Sequence, residues 1–171
     1  TSAAKRDEIR QQQRFAIDVA GNYKIQTLEP KLLSIAQDDS ADIDLRVTAM
    51  RSLLKLNTSK HIQLAKQQLD KKNANTEYQR RLAGILGDFP GPEVYAVLGG
   101  IKEATPDIQR SIVMSLANTA QGRNIIFEKV RKGEIFPRTL IEPALEERIL
   151  LKISPQQKKQ YEELTANLEE I

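Results

Sequence analysis

The stretch Arg46-Val-Thr-Ala-Met-Arg-Ser-Leu-Leu54 joins an arginine to an apolar run, and the chain contains four such stretches. The others begin at Arg14, Arg80 and Arg110, so the four arginines are 32, 34 and 30 residues apart. Self-similarity with a period of about 20–50 residues is typical of stacked helical repeats, in which each unit buries its apolar face against its neighbours. The pattern therefore predicts an all-α fold, an α-α superhelix or solenoid of about four helix pairs.

The composition agrees with a helical protein. Of the 171 residues 40% are hydrophobic but only 5% are aromatic, so aliphatic side chains must form the core. The absence of cysteine excludes disulfides and zinc–thiolate sites within the chain. A net charge of +3 is a small excess, unlike the concentrated basic stripe of a nucleic-acid binder. No apolar run is long enough to predict a membrane span.

Turn signals divide residues 1–135 into the predicted repeats. The first two helices are predicted at about 4–20 and 25–37, and the apolar stripe of the first comprises Ile9, Ala16, Val19 and Ala20. The second repeat begins near residue 42, with Thr58 or Ser59 as the cap of its second helix. The third runs from about 76 to 101 and is interrupted by a Pro-Gly-Pro break.

The fourth repeat and the tail carry clear helix-start signals. Thr105 is the expected N-cap of a helix with Pro106 at its first position, and the partner helix is predicted at about 122–132. Residues 136–171 are predicted as a two-helix C-terminal cap in the same domain, with one helix at about 137–152 and another opened by Ser154 and Pro155. The final apolar stripe, expected to close the array, consists of Tyr161, Leu164, Leu168 and Ile171.

The arginine-plus-apolar pattern resembles the HEAT-like repeat, including the variant linked with phycobilisome lyase-type repeats. In that family an acidic residue near the start of the first helix pairs with the arginine and forms a ladder between repeats. The resemblance implies that the arginines are structural and bond to loop carbonyls or to acidic groups. The implied ladder positions are Asp44 with Arg46, Asp107 with Arg110, and Arg80, which Glu77 precedes.

A second resemblance concerns the stretch Gln121-Gly122-Arg123-Asn-Ile-Ile-Phe-Glu-Lys-Val-Arg-Lys-Gly133-Glu-Ile-Phe-Pro-Arg. It is similar to the end of the helical-repeat region in large bacterial proteins that join a sugar-dehydrogenase-like β-propeller, a HEAT-like array and a c-type cytochrome domain. The haem-attachment signature Cys-x-x-Cys-His is absent from this chain. The resemblance implies a non-enzymatic scaffold or protein-interaction module without a cofactor, within a larger periplasmic or secreted redox protein. A cytoplasmic location is the alternative.

The second helix of each pair is expected to line a concave face. Its outward polar residues Lys60, Gln63 and Gln67 are the predicted contacts with a partner protein or with adjacent domains of the same chain. The alternative function is a nucleic-acid-interacting HEAT-like array, as in HEAT-like DNA glycosylases, which use aromatic and acidic residues in a basic cleft. The lack of tryptophan and the slight charge excess rank that alternative lower.

The remaining polar motifs predict no catalytic or metal site. His61 is the only histidine, and one histidine cannot build a His-rich metal site, so we expect a surface or capping role for it. The acidic segment 38–44 resembles a calcium loop but lacks the glycine and the glutamate that such a loop requires. The basic run of Arg123, Lys129, Arg131 and Lys132 has no interleaved aromatics, so we expect a solvated face.

Overall fold

A computed structural model describes residues 2–168 of the chain. Within that range the chain is helical and contains no strand, so the all-α prediction is confirmed. Two 3₁₀ helices span Gln26–Leu28 and Pro137–Ile141. The α-helices of the described range are α1 Ser2–Asn22, α2 Glu29–Gln37, α3 Ile43–Leu56, α4 Thr58–Asp70, α5 Thr76–Leu86, α6 Pro92–Gly100, α7 Pro106–Leu116, α8 Ala120–Arg131, α9 Pro143–Leu150 and α10 Pro155–Thr165.

The chain forms two compact units, of which the first ends at Ile85 and the second begins at Leu86. In the first unit α1, α2 and α4 all pack on α3. Its core includes the buried side chains Leu32, Met50, Leu53, Leu54 and Ile62. In the second unit α6 packs on α7 and α8, α7 packs on α9, and α8 packs on α10. Its core includes Leu98, Leu116, Phe127, Leu140 and Ile149.

Helices two places apart in the first unit run parallel. Contacts between α2 and α4 advance together along both helices, and each joins residues 31 or 32 positions apart. The three hydrogen-bonded pairs are Glu29–Lys60, Ala36–Gln68 and Asp39–Lys71. α1 and α3 are related in the same way, because Arg10 faces Asp42 and the Ile17 carbonyl accepts a hydrogen bond from Ser52. In this unit α1 therefore lies beside α3, and α2 lies beside α4.

The second unit repeats this relation. α7 and α9 are parallel, because Arg110 lies beside Glu142 and the Met114 carbonyl accepts from Arg148, a residue 34 positions later. α8 and α10 are parallel as well, because Arg123 bonds Gln157 and Arg131 bonds Gln160. The same helix arrangement is thus present separately in both units.

Side-chain caps fix most of the helix starts. The Thr105 hydroxyl accepts from the Ile108 amide and Pro106 opens α7, as predicted, and Ser154 caps α10 in the same way. The predicted cap of α4 is wrong: Asn57 accepts from the Lys60 amide, while Thr58 lies inside the helix and its hydroxyl donates to the Leu54 carbonyl. The extended backbone of Asn57 places its short side chain over the free amides at the helix start.

The predicted apolar stripe of α1 is partly wrong. Ile9 is 45% exposed and Ala16 is exposed, whereas the buried residues of α1 are Ile17, Ala20 and Gly21. The reason lies in the neighbouring helix. The earlier turns of α1 face the charged start of α3, and the helix meets the apolar part of α3 from Ile17 onward.

The single helix predicted at 137–152 is divided in the structure. The 3₁₀ helix ends at Ile141, Glu142 is extended, and α9 then starts at Pro143. A residue before proline is disfavoured in the helical conformation, which explains the break at Glu142. α10 ends at Thr165, so Leu168 lies beyond the helix.

The predicted tail stripe is buried only in part. Tyr161 is buried, and its hydroxyl donates to the Glu146 carboxylate. Leu164 and Leu168 are half-buried, and Ile171 lies outside the described residues. Tyr161 is therefore the member of the stripe that anchors α10.

Candidate functional site

The Asp44 carboxylate bridges two arginines from other helices. Its Oδ2 lies 3.8 Å from Arg14 Nη1 of α1, and its Oδ1 lies 2.5 Å from Arg81 Nη1 of α5. Asp44 of α3 thus connects α1 and α5. The resemblance implies a pair of Asp44 with Arg46 and a ladder position at Arg80, but Asp39 lies beside Arg46 and Arg81 lies beside Asp44.

The other two ladder arginines lie at the surface. Arg80 donates to both carboxylate oxygens of Glu77, at 2.9 and 2.6 Å. Arg110 lies 3.6 Å from Asp107 and 3.5 Å from Glu142. These side chains are 44–75% exposed, and such exposed pairs contribute about 0.2–1 kcal/mol each. Arg80 and Arg110 therefore have acidic partners, but these exposed ion pairs contribute little to the free energy of unfolding.

Arg46 is buried and is the centre of a polar network between helices of the first unit. Its Nε lies 3.5 Å from the Ala36 carbonyl at the end of α2, and its Nη2 lies 3.3 Å from Asp39 Oδ1. The guanidinium is 3.9 Å from the centre of the Tyr78 ring of α5, a cation–π contact. A buried charge is costly unless it is paired, and these partners satisfy that requirement.

Two glutamines extend the Arg46 network. Gln68 Nε2 donates to the Ala36 carbonyl at 2.8 Å, and Gln68 accepts from the Tyr78 hydroxyl. Burial raises the pKa of Tyr78 to about 12, so the phenol remains a donor at neutral pH. Gln79 Nε2 donates to three carbonyls at the end of α4, those of Gln68, Leu69 and Lys71. The network therefore ties the ends of α2 and α4 to α3 and α5.

Arg123 has an equivalent role in the second unit. It is 5% exposed, so the solvated face predicted for the basic run is wrong for Arg123, whereas Arg131 and Lys132 of that run are exposed. Its guanidinium donates to Gln157 Oε1 at 2.9 Å and to the Ala117 and Lys152 carbonyls at 3.1 and 3.3 Å. Gln157 in turn donates to the Ala120 carbonyl. The charge is buried because helix-end carbonyls replace water around it, and no local sequence signal indicates that.

Arg46→Ala is expected to destabilise the first unit by about 2–3 kcal/mol, because it removes a desolvated cation–π contact and two hydrogen bonds from a buried site. Arg80→Ala is the matched control and should cost less than about 1 kcal/mol, because its contact with Glu77 is exposed. Urea denaturation followed by circular dichroism measures both values. Equal losses in the two variants would contradict the distinction between them.

The predicted interaction residues lie together on one side of α4. Lys60, Gln63 and Gln67 are all exposed, and their spacing of three and seven residues places them on one face, here called the α4 face. Lys60 Nζ lies 2.5 Å from Glu29 Oε1 of α2. The α4 face thus offers two neutral amides and one paired cation, which is chemistry suited to hydrogen bonding with a polar partner.

We expected a surface or capping role for His61, but its side chain is buried and only 3% exposed. It shares the inner side of α4 with Ala65 and Gln68, at the helical spacing i, i+4 and i+7. Burial lowers its pKa below the ordinary value of 6.5, so the imidazole is neutral at pH 7. Nε2 has no hydrogen-bond partner and lies 3.5 Å from Glu29 Oε1. A substrate has no direct access to this ring.

Residues 2–168 contain no group of three or more His, Asp or Glu residues suited to a metal ion. No helix in that range combines the length and the apolar character needed to cross a membrane. A cleft of about 190 Å³ lies between α1 and the start of α3, lined in part by Asp7, Arg10, Arg14, Asp42 and Asp44. Its charges pair with one another, so the cleft has no single chemical preference.

Comparisons with known proteins find no match for this chain. No protein-family model, no curated protein and no solved structure matches the chain.

Proposed function

We propose that the chain is a non-enzymatic helical-repeat scaffold, a HEAT-like solenoid that holds protein partners or neighbouring domains. The observation that carries this proposal is the parallel packing of helices two places apart, α1 with α3 and α2 with α4 in one unit and α7 with α9 and α8 with α10 in the other. Hydrogen-bonded partners in these helix pairs lie 29–37 residues apart, around the spacing of 30–34 residues between the four arginine stretches. A repeat of this length with contacts between successive copies is the expected arrangement of an α-solenoid.

The polar chemistry supports a structural role for the strongest interactions. The Arg46 and Arg123 side chains are buried and bond helix-end carbonyls rather than water, while the half-exposed Asp44 carboxylate joins α1, α3 and α5. The α4 face remains available because the Gln63 and Gln67 side chains are exposed. Solenoids use such faces as extended binding surfaces. We assign the α4 face as the contact surface for a polar protein partner.

The proposal also includes a place within a larger periplasmic or secreted redox protein, which rests on the resemblance of residues 121–138. In that setting the chain positions other domains and supplies no redox centre itself. The absence of cysteine is compatible with this role, because no thiol would need protection from oxidation.

Site-specific photo-crosslinking tests the contact surface. A photoreactive amino acid at position 63 or 67 should capture a protein, or another domain of the same protein, in the producing cell. Position 109 on α7 is the control, because Gln109 is exposed but lies outside the α4 face. Lys60→Glu should abolish capture from position 67. Equal capture from all three positions, or none, would contradict the assignment, and ultraviolet crosslinking to nucleic acid would favour the alternative array.

The purified chain is expected to contain no stoichiometric metal, haem or flavin. The physical reason is that the single histidine is buried beside a carboxylate already held by Lys60. Elemental analysis and an absorption spectrum from 300 to about 700 nm check this expectation. A visible chromophore, or one bound metal per chain, would overturn the non-redox role.

A further inference from the structure

Three ionisable side chains meet where α2 and α4 begin. Glu29 is the first residue of α2, and Lys60 and His61 lie in the first turn of α4. The Glu29 carboxylate is 2.5 Å from the Lys60 ammonium and 3.5 Å from His61 Nε2. The histidine side chain is 3% exposed and that of Glu29 is 13% exposed, whereas Lys60 is 58% exposed. One buried and one exposed group therefore share a single carboxylate.

Within residues 2–168, only two neighbouring charges act on the His61 imidazole. The charges that act on the imidazole are Glu29 of α2, which favours its protonated form, and Lys60 of α4, which opposes it. Among the described residues, α3 also packs on α4 but contributes no charge to this balance. Burial is the largest influence and lowers the pKa of His61. The hydrogen bond from Lys60 is the largest influence on Glu29 and lowers the pKa of that carboxyl group.

We propose that His61, Glu29 and Lys60 form an acid-responsive contact in which the buried imidazole and the exposed ammonium compete for one carboxylate. At neutral pH the carboxylate accepts from Lys60, and His61 Nε2 is unpartnered. Uptake of one proton from solvent makes the imidazole a cation, whose Nε2–H donates to Glu29. A charge-assisted bond to a buried group is stronger than one to an exposed ammonium, so the carboxylate moves toward His61.

The exchange would release Lys60 at the α4 face. Its ammonium would then be free to bind an acidic group of the partner. Acidification would thus replace the Lys60–Glu29 ion pair with an unpaired cation on the α4 face. The use of the freed lysine rests on the proposed function. The exchange itself rests only on the geometry within the first unit.

Nuclear magnetic resonance tests the exchange directly, because His61 gives the single histidine signal of the chain. The ¹³Cε1 signal should titrate with a midpoint below 6.5. The ¹⁵Nζ shift of Lys60 should change with that same midpoint. Glu29→Gln should lower the His61 midpoint further, since it removes the favourable charge, and Lys60→Gln should raise it.

Two results would overturn the proposal. One is a His61 midpoint at or above 6.5 in the wild-type protein. The other is a ¹⁵Nζ chemical shift of Lys60 that does not change at the His61 midpoint, or whose change with pH persists in His61→Gln. Neither measurement requires a partner, so failed crosslinking at position 67 leaves this test intact. Conversely, an absent exchange with successful crosslinking would reject the acid response and keep the scaffold.

A stability measurement gives an independent readout. Because the folded protein lowers the pKa of His61, the unfolded chain binds a proton more readily. The contribution of the neutral imidazole is therefore present above the unfolded pKa and is lost as the pH falls below it. The free energy of unfolding should decline between pH 7 and 5, and the decline should be smaller in His61→Gln than in the wild-type protein. An identical slope in both proteins would contradict the assignment to His61.

Discussion

Gly122→Ala is expected to destabilise the protein by more than about 3 kcal/mol. A Cβ atom added at Gly122 would lie 1.8 Å from the Leu116 carbonyl oxygen and 2.6 Å from its carbon. Both are backbone atoms, so no rotamer change can relieve the overlap, and the turn between α7 and α8 must open. The turn is also held by the Thr119 cap, which accepts from the Gly122 amide. Urea denaturation followed by circular dichroism measures the loss.

Gly84→Ala is the matched control. Gly84 lies within α5, and a Cβ atom added there meets nothing within 4 Å. Because alanine restricts the unfolded chain more than glycine does, this variant should be neutral or more stable by about 0.5–1 kcal/mol. Equal unfolding midpoints for the two variants would show that the turn adapts to a side chain at Gly122.

Removal of residues 155–171 is expected to destabilise the second unit by on the order of 5 kcal/mol. The truncation deletes Gln157, which leaves Arg123 without its side-chain acceptor, and each buried polar group without a partner costs about 1–3 kcal/mol. It also removes the buried Tyr161 ring, worth roughly 2–3 kcal/mol. The total approaches the net stability of a typical domain, so we expect early melting and aggregation.

A shorter truncation serves as the control. Removal of residues 167–171 leaves α10, Gln157 and Tyr161 in place. Thermal denaturation with light scattering compares the two proteins with the full chain. The longer truncation should melt and scatter at a lower temperature, whereas the shorter should behave like the full chain. Equal midpoints for all three would mean that α10 adds nothing to the second unit.

The helical class could be predicted because it depends on features repeated along the chain. The Thr105–Pro106 and Ser154–Pro155 starts are local and were identified correctly, since capping involves residues only three apart. Pro143 also predicts a helix break at Glu142, but the apolar residues on both sides keep a helical spacing and indicate one continuous helix.

The polar networks could not be predicted, because their partners belong to other helices or turns, 6 to 37 residues away along the chain. Arg46, Arg80 and Arg110 occupy similar positions in sequence, yet burial separates Arg46 from the other two. Gln68, Gln79 and Gln157 carry no local signal at all, since a glutamine on a helix is usually solvated. Gly21 and Gly122 were missed for the same reason: the atoms that exclude a side chain belong to another segment, Ser52 for Gly21.

The similar separation between contacts in parallel helices also determines where the chain can change length. One residue inserted within α3 would rotate its later part by about 100°. Asp44 would keep its place beside Arg14, while Ser52 would turn away from Ile17. An insertion in the segment between α4 and α5 disturbs no helix, and Asn73 already bends the chain there with a φ of 59°. Length variants of this protein should therefore tolerate additions at 72–74 and reject them inside the helices, so evolution can lengthen the turns but must keep the helical register.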